Sequence, residues 1–401
     1  MTELDTRPRA AVLTGPDEAV DVAARLAATF AAGAAERDAH RVLPVAELDQ
    51  LSDSGLLAIS VPREFGGADV PTETVVTVFR LLAAADPGLA QIPHSHFVYV
   101  EALRRTGTPE QQRYFFGEVL AGKRFGNAQS EAGTKHVQDY RTRLRARPDG
   151  GFVLDGLKHY ATGAYFAHWI PVLAKDDGDR LVVAYVPRDA AGVTVVDDWD
   201  GMGQRITASG SVELSGVRVP AEHVLPHHQT FDGPQLYGAR AQILHAAIDT
   251  GIARGALGEA AEFVRTTARP WFEAGVEHAT EDPLTVQRFG ELEVAVRAAE
   301  ALLGEAARTV DTAANALDDD SAAAASVAVA VAKAAADRAA LEVTNALFEL
   351  GGTRSALDSL NLHRHWRNAR THTLHDPVRW KFQHIGRHLL TGTPPPRHGV
   401  L

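Results

Sequence analysis

The sequence predicts an α+β chain in three parts. These are a helical N-terminal domain over residues 1–125, a middle antiparallel β domain over 126–228 and a C-terminal helical bundle over 229–401. Three observations carry this reading. Apolar residues recur at helical spacing before Phe125, and short β-favouring runs broken by glycine follow to about Val224. From about residue 235 long alanine-rich stretches restore the helical texture to the end.

In the first part, Ala19, Val20, Ala23, Ala24, Leu26 and Ala27 form an apolar stripe, and a second helix is expected through Val45 to Leu51, ending at Gly55. Residues 73–85 read as a third helix, broken by Asp86-Pro87-Gly88, and another starts after Pro93 and runs toward Arg105. This last helix carries His94, His96 and Tyr99; His96 and Tyr99 stand three apart and face the same way. Such residues either line a pocket or sit beneath a loop with their polar atoms taken by the backbone.

The middle part offers strands at Gly151–Gly156, Trp169–Leu173, Leu181–Val186 and Ser211–Leu214, spaced as in a small antiparallel barrel or sandwich. Three of its loops are rich in small and hydroxyl residues: Gly126–Thr134, with Asn127 and Ser130; Tyr160–Ala164, with Thr162; and Trp199–Ser211. Together they supply donors suited to the edges of a planar heterocycle, although each alone is an ordinary surface loop.

In the third part, residues 246–257 are small enough for close helix packing. Residues 291–315 and 321–350 should pair antiparallel, with Asp318-Asp319-Asp320 as a solvated turn and negative cap. Gly351-Gly352-Thr353-Arg354 ends that helix with an arginine suited to phosphate. His363 to Pro377 crowds basic groups, a tryptophan and four histidines together. His372 and His375 share one face at a helix end that Asp376-Pro377 stops. That is a place for proton transfer, or else for cations at the negative end of a helix dipole.

Composition narrows the classes. A formal charge of −11 argues against nucleic acid as a partner, and the absence of cysteine removes disulfides and thiolate metal sites. Met1–Pro16 does not read as a secretory signal, and no run approaches the roughly 20 apolar residues that span a bilayer. A soluble cytoplasmic protein is expected. His363, His365, His372 and His375 stand beside several arginines, which makes a metal site unattractive. No glycine-rich nucleotide fingerprint follows a strand and opens a helix, so no NADH site is expected on this chain.

The helical, β, helical order and the segment Gly201–Pro220, with Arg205, Thr207, Ser209 and Val217, resemble the acyl-CoA dehydrogenase superfamily over essentially the whole chain. Asn127–Thr134, His159–Gly163, Phe166–Trp169 and Arg367–Pro377 resemble its flavin-dependent monooxygenase branch. Within that branch the likeness is first to sulfur-acquisition oxidoreductases related to dimethyl sulfone use, and more distantly to dibenzothiophene monooxygenase. Where dehydrogenases of the superfamily often carry a base glutamate, this chain has Asp376 before Pro377, one methylene shorter and on an altered backbone.

The resemblance implies a two-component enzyme. A separate NAD(P)H-dependent flavin reductase supplies reduced FMN, with FAD as the alternative, and O2 forms a flavin C4a-hydroperoxide that oxygenates a small organosulfur compound. His96, His372 and His375 become the catalytic candidates. Asn127, Ser130, Thr162 and Arg354 become candidates to hold the flavin. Arg269 of a neighbouring subunit, or Arg265, would reach its phosphate, in a homotetramer. His94, Tyr99 and Trp199 would line the substrate pocket, with Trp199 either packing on the ring system or filling the core. The rivals are an acyl-CoA dehydrogenase with Asp376 as base, a monooxygenase of the same fold acting at nitrogen or an aromatic carbon, and a non-catalytic assembly protein.

Overall fold

The computed structural model describes residues 10–399; the beginning of Met1–Pro16, on which the reading of the N-terminus falls, lies outside them. Seven helices come first: α1 Pro16–Ala31, α2 Ala34–His40, α3 Val45–Asp53, α4 Thr72–Ala85, α5 Pro87–Gln91, α6 His94–Thr106 and α7 Pro109–Leu120. Asp86-Pro87-Gly88 ends α4 as expected but also opens α5, because the Asp86 carboxylate accepts the Leu89 N–H at 3.1 Å and proline suits the first helical position.

The strands are β1 Arg143–Ala146, β2 Phe152–Lys158, β3 Trp169–Lys175, β4 Leu181–Pro187, β5 Val193–Val196, β6 Ser211–Val219 and β7 Val224–Leu225. They form one sheet in the order β5-β6-β2-β1-β3-β4-β7. The strand pairs are antiparallel as expected, apart from β1, which meets β3 in parallel through Arg143 and Lys175. The segment before β1 already runs along β3 in the same sense, through bridges from Phe125 to Trp169 and from Ala128 to Val172. That lay-by holds Asn127 between two backbone-pinned neighbours.

The bundle consists of α8 Tyr237–Thr266, α9 Pro283–Asn315, α10 Asp319–Gly351, α11 His363–His372 and α12 Val378–Thr391. Asp318 caps α10 by accepting the Ser321 N–H at 2.7 Å. Alanine faces let the helices approach closely; a Cβ on Gly255 of α8 would stand 2.3 Å from the Ala84 carbonyl oxygen of α4. One apolar core runs continuously from α1 and α4 through α8 to α9 and α10. Among the described residues no helix is long and apolar enough to cross a membrane.

Arg37 of α2 fixes the α4–α5 corner from which α6 departs. Its guanidinium donates to Asp86 at 2.8 and 3.0 Å, to Glu47 at 2.8 Å and to the Phe30 carbonyl. Arg37 and Asp86 are both buried. Burial pushes the Asp86 carboxyl up even with Arg37 beside it. Replacing Arg37 by methionine would strand that carboxylate, and about 3–5 kcal/mol of stability should be lost in urea unfolding. A loss below about 1 kcal/mol would mean that Asp86 does not depend on this partner.

Candidate functional site

Four imidazoles, three from helices and one from a turn, meet where α6, α8 and α11 converge. His94 opens α6, His245 lies on α8, His372 ends α11, and His375 follows it in the turn before Pro377. The His94 and His245 rings stack with centroids 3.9 Å apart, and His245 and His375 stand 3.8 Å apart. His94, His245 and His372 are buried, whereas His375 is exposed.

A chain of hydrogen bonds runs inward from this cluster. Nδ1 of His245 lies 3.1 Å from Nε2 of His372, and Nδ1 of His372 lies 2.6 Å from Oδ1 of Asp249. Lys333 of α10 donates to Oδ2 of Asp249 at 2.8 Å and also pairs with Asp337. Burial would raise Asp249, but His372 and Lys333 hold its carboxyl well below the usual range. Burial lowers His372 and His245, and neighbouring imidazoles lower His245 further. Nε2 of His245 is buried with no hydrogen-bond partner.

His94 donates from Nε2 to the Ala241 carbonyl at 3.0 Å, and burial pushes its pKa down to about 3. Beyond this contact the groove between α6 and α8 opens into a cavity of about 310 Å³, lined by Phe97, Val98, Arg104, Arg240, Ala241 and Leu244. Its arginines are already paired, Arg240 with Glu101 and Arg104 with Asp69, each at 2.6 Å.

The middle domain presents its polar loops to the same convergence. Thr162 Oγ1 lies 2.7 Å from Ser209 Oγ, which lies 2.7 Å from Thr207 Oγ1; Thr207 then donates to the Gln204 carbonyl at 2.9 Å. The Gln204 N–H donates to Asn368 of α11 at 2.6 Å, which docks this loop on the bundle. Gly163, at φ +79°, passes so close to the turn before α6 that a Cβ there would stand 3.0 Å from the Ile92 carbonyl oxygen. Thr162 is thereby held beside the start of the helix that carries His94.

The remaining candidates are placed as follows. His96 accepts the Phe125 N–H on Nδ1 at 3.1 Å and donates from Nε2 to the Leu57 carbonyl at 2.9 Å. Burial pushes it down to about 4. Both nitrogens are committed to backbone, so the proton-transfer reading of His96 is corrected to a structural bridge. Tyr99 is in the core, and its hydroxyl reaches Asn127 Oδ1 only at 3.5 Å. Trp199 donates to the Gln204 carbonyl at 2.9 Å, bracing its own loop, and neither Tyr99 nor Trp199 lines the cavity. The Ser130 carbonyl accepts the His159 N–H at 2.9 Å at the end of β2.

Arg354 is exposed and donates to the Thr267 carbonyl at 3.3 Å; Arg269 is exposed two residues further along the same loop, and Arg265 pairs with Glu262. From His245 the chain climbs α8 to Thr266, so at about 1.5 Å per residue these arginines lie roughly 30 Å from the imidazoles. Arg354 thus sits with Arg269 at the far end of the bundle. Asp376 accepts from Lys381 at 2.8 Å, while its 3.7 Å approach to His375 is too long for a hydrogen bond. Burial would raise Asp376, but contact with His375 and the charges of Lys381 and Lys333 hold it well below the carboxylate range, so it is a poor base. His363 pairs with Asp358 at 2.9 Å and His365 with Glu259 at 2.7 Å, away from His372 and His375.

Sequence reasoning missed His245, Asp249 and Lys333. A signal existed, since His245 and Asp249 stand four apart on one helix face. The small residues around them drew the reading toward packing instead.

Comparison with known proteins matches three family models: acyl-CoA dehydrogenase N-terminal domain over residues 17–123, middle domain over 125–217 and C-terminal domain over 243–380. Dibenzothiophene monooxygenase of Rhodococcus erythropolis is 37% identical, over 97% of this chain and 96% of its own length. A probable FMNH2-dependent monooxygenase, SfnC of Pseudomonas putida, is 33% identical over 96% and 98%. The crystal structure of FMN-bound TdsC from Paenibacillus sp. A11-2 superposes with a TM-score of 0.90 at 36% identity, covering 96% of this chain and 100% of that one. Of the first two, the dibenzothiophene enzyme is the nearer, whereas the sequence reading placed the sulfur-acquisition branch first.

The buried imidazoles also dictate an acid response. His94 and His96 are neutral when folded, with pKa values near 3 and 4, and return to about 6.5 on unfolding. The unfolded chain therefore binds more protons below pH 6.5, and stability should fall as pH drops from there toward 4, by up to about 1.4 kcal/mol per pH unit for each histidine. His94→Gln should flatten the slope of urea-derived stability against pH. An unaltered slope would mean that His94 is protonated in the folded state.

Proposed function

The chain belongs to the acyl-CoA dehydrogenase family, and from that membership we propose that it is the oxygenase component of a two-component monooxygenase. It takes reduced FMN from a separate NAD(P)H-dependent flavin reductase and uses O2 to oxygenate a small organosulfur compound. The observation that carries this reading is the histidine cluster standing where a dehydrogenase of the fold would need a free carboxylate. The only carboxylate in that turn, Asp376, is neutralised by Lys381.

The residues present fit a flavin. Asn127 makes only long contacts, at 3.5 Å to Tyr99 and 3.4 Å from its amide to the Tyr160 carbonyl. The Gln204 side-chain amide and the Thr371 hydroxyl are buried without partners. These underused groups, with Thr162 and its hydroxyl chain, would hold the ring system of FMN, and Ser130 would extend that cradle. When bound in reduced form, FMN supplies the electrons that activate O2. His372 and His375 hold and move protons at the cleft, His94 closes its wall toward the cavity between α6 and α8, and the buried rings exclude water.

Arg269 and Arg354 would reach the phosphate from a neighbouring copy, because one chain keeps them too far from its own imidazoles. Exposed apolar side chains support such assembly: Trp271, Phe272 and Leu284 at that end of the bundle, and Leu389 and Leu390 on α12. A homotetramer would serve both needs. Dependence on a reductase that draws on NAD(P)H favours the cytoplasm.

The test supplies the chain with a flavin reductase, NADH, FMN and 18O2, and screens sulfinates, sulfones, thioethers and dibenzothiophene. One 18O atom should enter a sulfur product. Release of all reducing equivalents as H2O2 with every compound, or anaerobic bleaching of bound FAD by an acyl-CoA, would sink the proposal. In the same assay His375→Ala should divert most NADH consumption to H2O2 while leaving the melting temperature within about 3 °C, since the side chain is exposed. Unchanged coupling would remove His375 from the chemistry.

A further inference from the structure

We propose that Asp249, His372 and His245 form a buried proton relay whose accepting end is Nε2 of His245, and that this relay takes up and returns the proton moved at the cleft during oxygenation. The inference rests on the oxygenase reading above and adds to it a residue, His245, that lies outside the sequence motifs.

The geometry sets each proton. Asp249 receives Lys333 on one oxygen at 2.8 Å and faces Nδ1 of His372 with the other at 2.6 Å. An ionised carboxylate only accepts, so Nδ1 of His372 carries a hydrogen and its Nε2 is a lone pair. That lone pair is 3.1 Å from Nδ1 of His245, which must donate, leaving Nε2 of His245 bare. This is the nitrogen that is buried and unpartnered. Every other polar atom along the line is satisfied, so the chain ends in one unused acceptor.

A proton arriving at Nε2 of His245 completes an exchange. The new N–H bond forms at Nε2, the Nδ1–H bond of His245 breaks, and its proton bonds to Nε2 of His372. His245 ends neutral in its other tautomer, and His372 becomes an imidazolium facing the Asp249 carboxylate. The reverse exchange returns the proton, and no electrons move between molecules. His375, exposed and tilted against His245 with ring centroids 3.8 Å apart, adjoins the buried end of the relay.

The groups facing the relay are His94 from α6, Lys333 and Asp337 from α10, His375 and Asp376 from the turn after α11, and Lys381 from α12. Burial keeps His245 and His372 below the ordinary imidazole range. The relay therefore rests empty at neutral pH, ready to accept, and the positive charge it gains is short-lived beside Lys333. A purely structural role for Asp249 would need only the Lys333 pair; it would not require the imidazoles to be ordered in one tautomeric sense.

The first measurement uses the flavin-free wild-type protein labelled with 15N-histidine, so it holds whether or not the substrate reading survives. At neutral pH, His372 and His245 should both appear as Nδ1–H tautomers. His245 as the Nε2–H tautomer, or His372 as a resting cation, would overturn the relay. In Asp249→Asn, Lys333 keeps the amide oxygen and the NH2 group must face His372, so both tautomers should invert. With reductase and substrate, Asp249→Asn and His245→Gln should lower kcat by about 100-fold or more with KM changed less than about threefold. Asp249→Glu should recover part of the rate. Folded variants with unchanged kcat and an unchanged pH profile would refute the proposal.

Discussion

Lys333 and Asp249 meet at the middle of two long helices, inside a bundle rich in alanine, valine and leucine, and both are essentially inaccessible to water. Two ions there carry a desolvation cost of several kcal/mol each, which only close geometry and complete hydrogen bonding can offset. The structure gives each ion two close partners: Asp249 is met by Lys333 and His372, and Lys333 by Asp249 and Asp337. The pair also fixes the register of α8 against α10. A slip of either helix by one residue would turn a charge into apolar packing. His245, one turn before Asp249 on α8, inherits that register, as does the convergence of α6 and α11 upon it.

Rigidity on the helical side is matched by constraint on the other. The loop that carries the hydroxyl chain holds two non-glycine residues in the left-handed region, Gln204 at φ +52° and Ala208 at φ +45°. Such conformations are uncommon and persist where the surroundings over-determine them. Here Asn368 holds the Gln204 N–H, and Arg367 donates to the Met202 carbonyl at 2.8 Å while pairing with Asp38. Both residues belong to α11, the helix that ends in His372. One short helix thus aims an imidazole into the bundle and clamps the middle-domain loop, so the two walls of the cleft cannot move independently.

These couplings explain what could be read in the sequence. Helical texture, the Asp318 cap and the four long strands depend on local spacing, and they stand where spacing put them. β1 and β5 are only four residues each, too short to register as alternation, and the parallel contact of β1 with β3 depends on where a distant segment lies. Lys333 drew no notice in the alanine-rich helix because nothing local reveals a partner on α8. His96 illustrates the opposite error. Its neighbours suggested a pocket, yet its two hydrogen-bond partners are backbone groups, the Leu57 carbonyl as acceptor and the Phe125 N–H as donor, brought together only by the packing of α6 against the start of the middle domain. Arg354 looked like a phosphate ligand by residue type, and only the length of α8 and α10 reveals how far it stands from its own cleft.

The fate of Asp376 then decides the chemistry the fold supports. A carboxylate serving as base must be free to take a proton, which in a buried setting means a pKa raised toward neutrality. Lys381 does the reverse, holding Asp376 as an anion with a fixed partner. The buried imidazoles of His245 and His94 are the groups left with lone pairs, and burial keeps these two uncharged at neutral pH. A cleft walled by the buried, uncharged rings of His94 and His245 and backed by the Asp376–Lys381 ion pair accepts a proton without presenting a strong base to a substrate. That suits chemistry in which oxygen is delivered to sulfur and a proton must be handled in passing, and it disfavours abstraction from carbon. In this chain two local features set that chemistry: a lysine paired with the carboxylate, and a buried aspartate that organises the histidines.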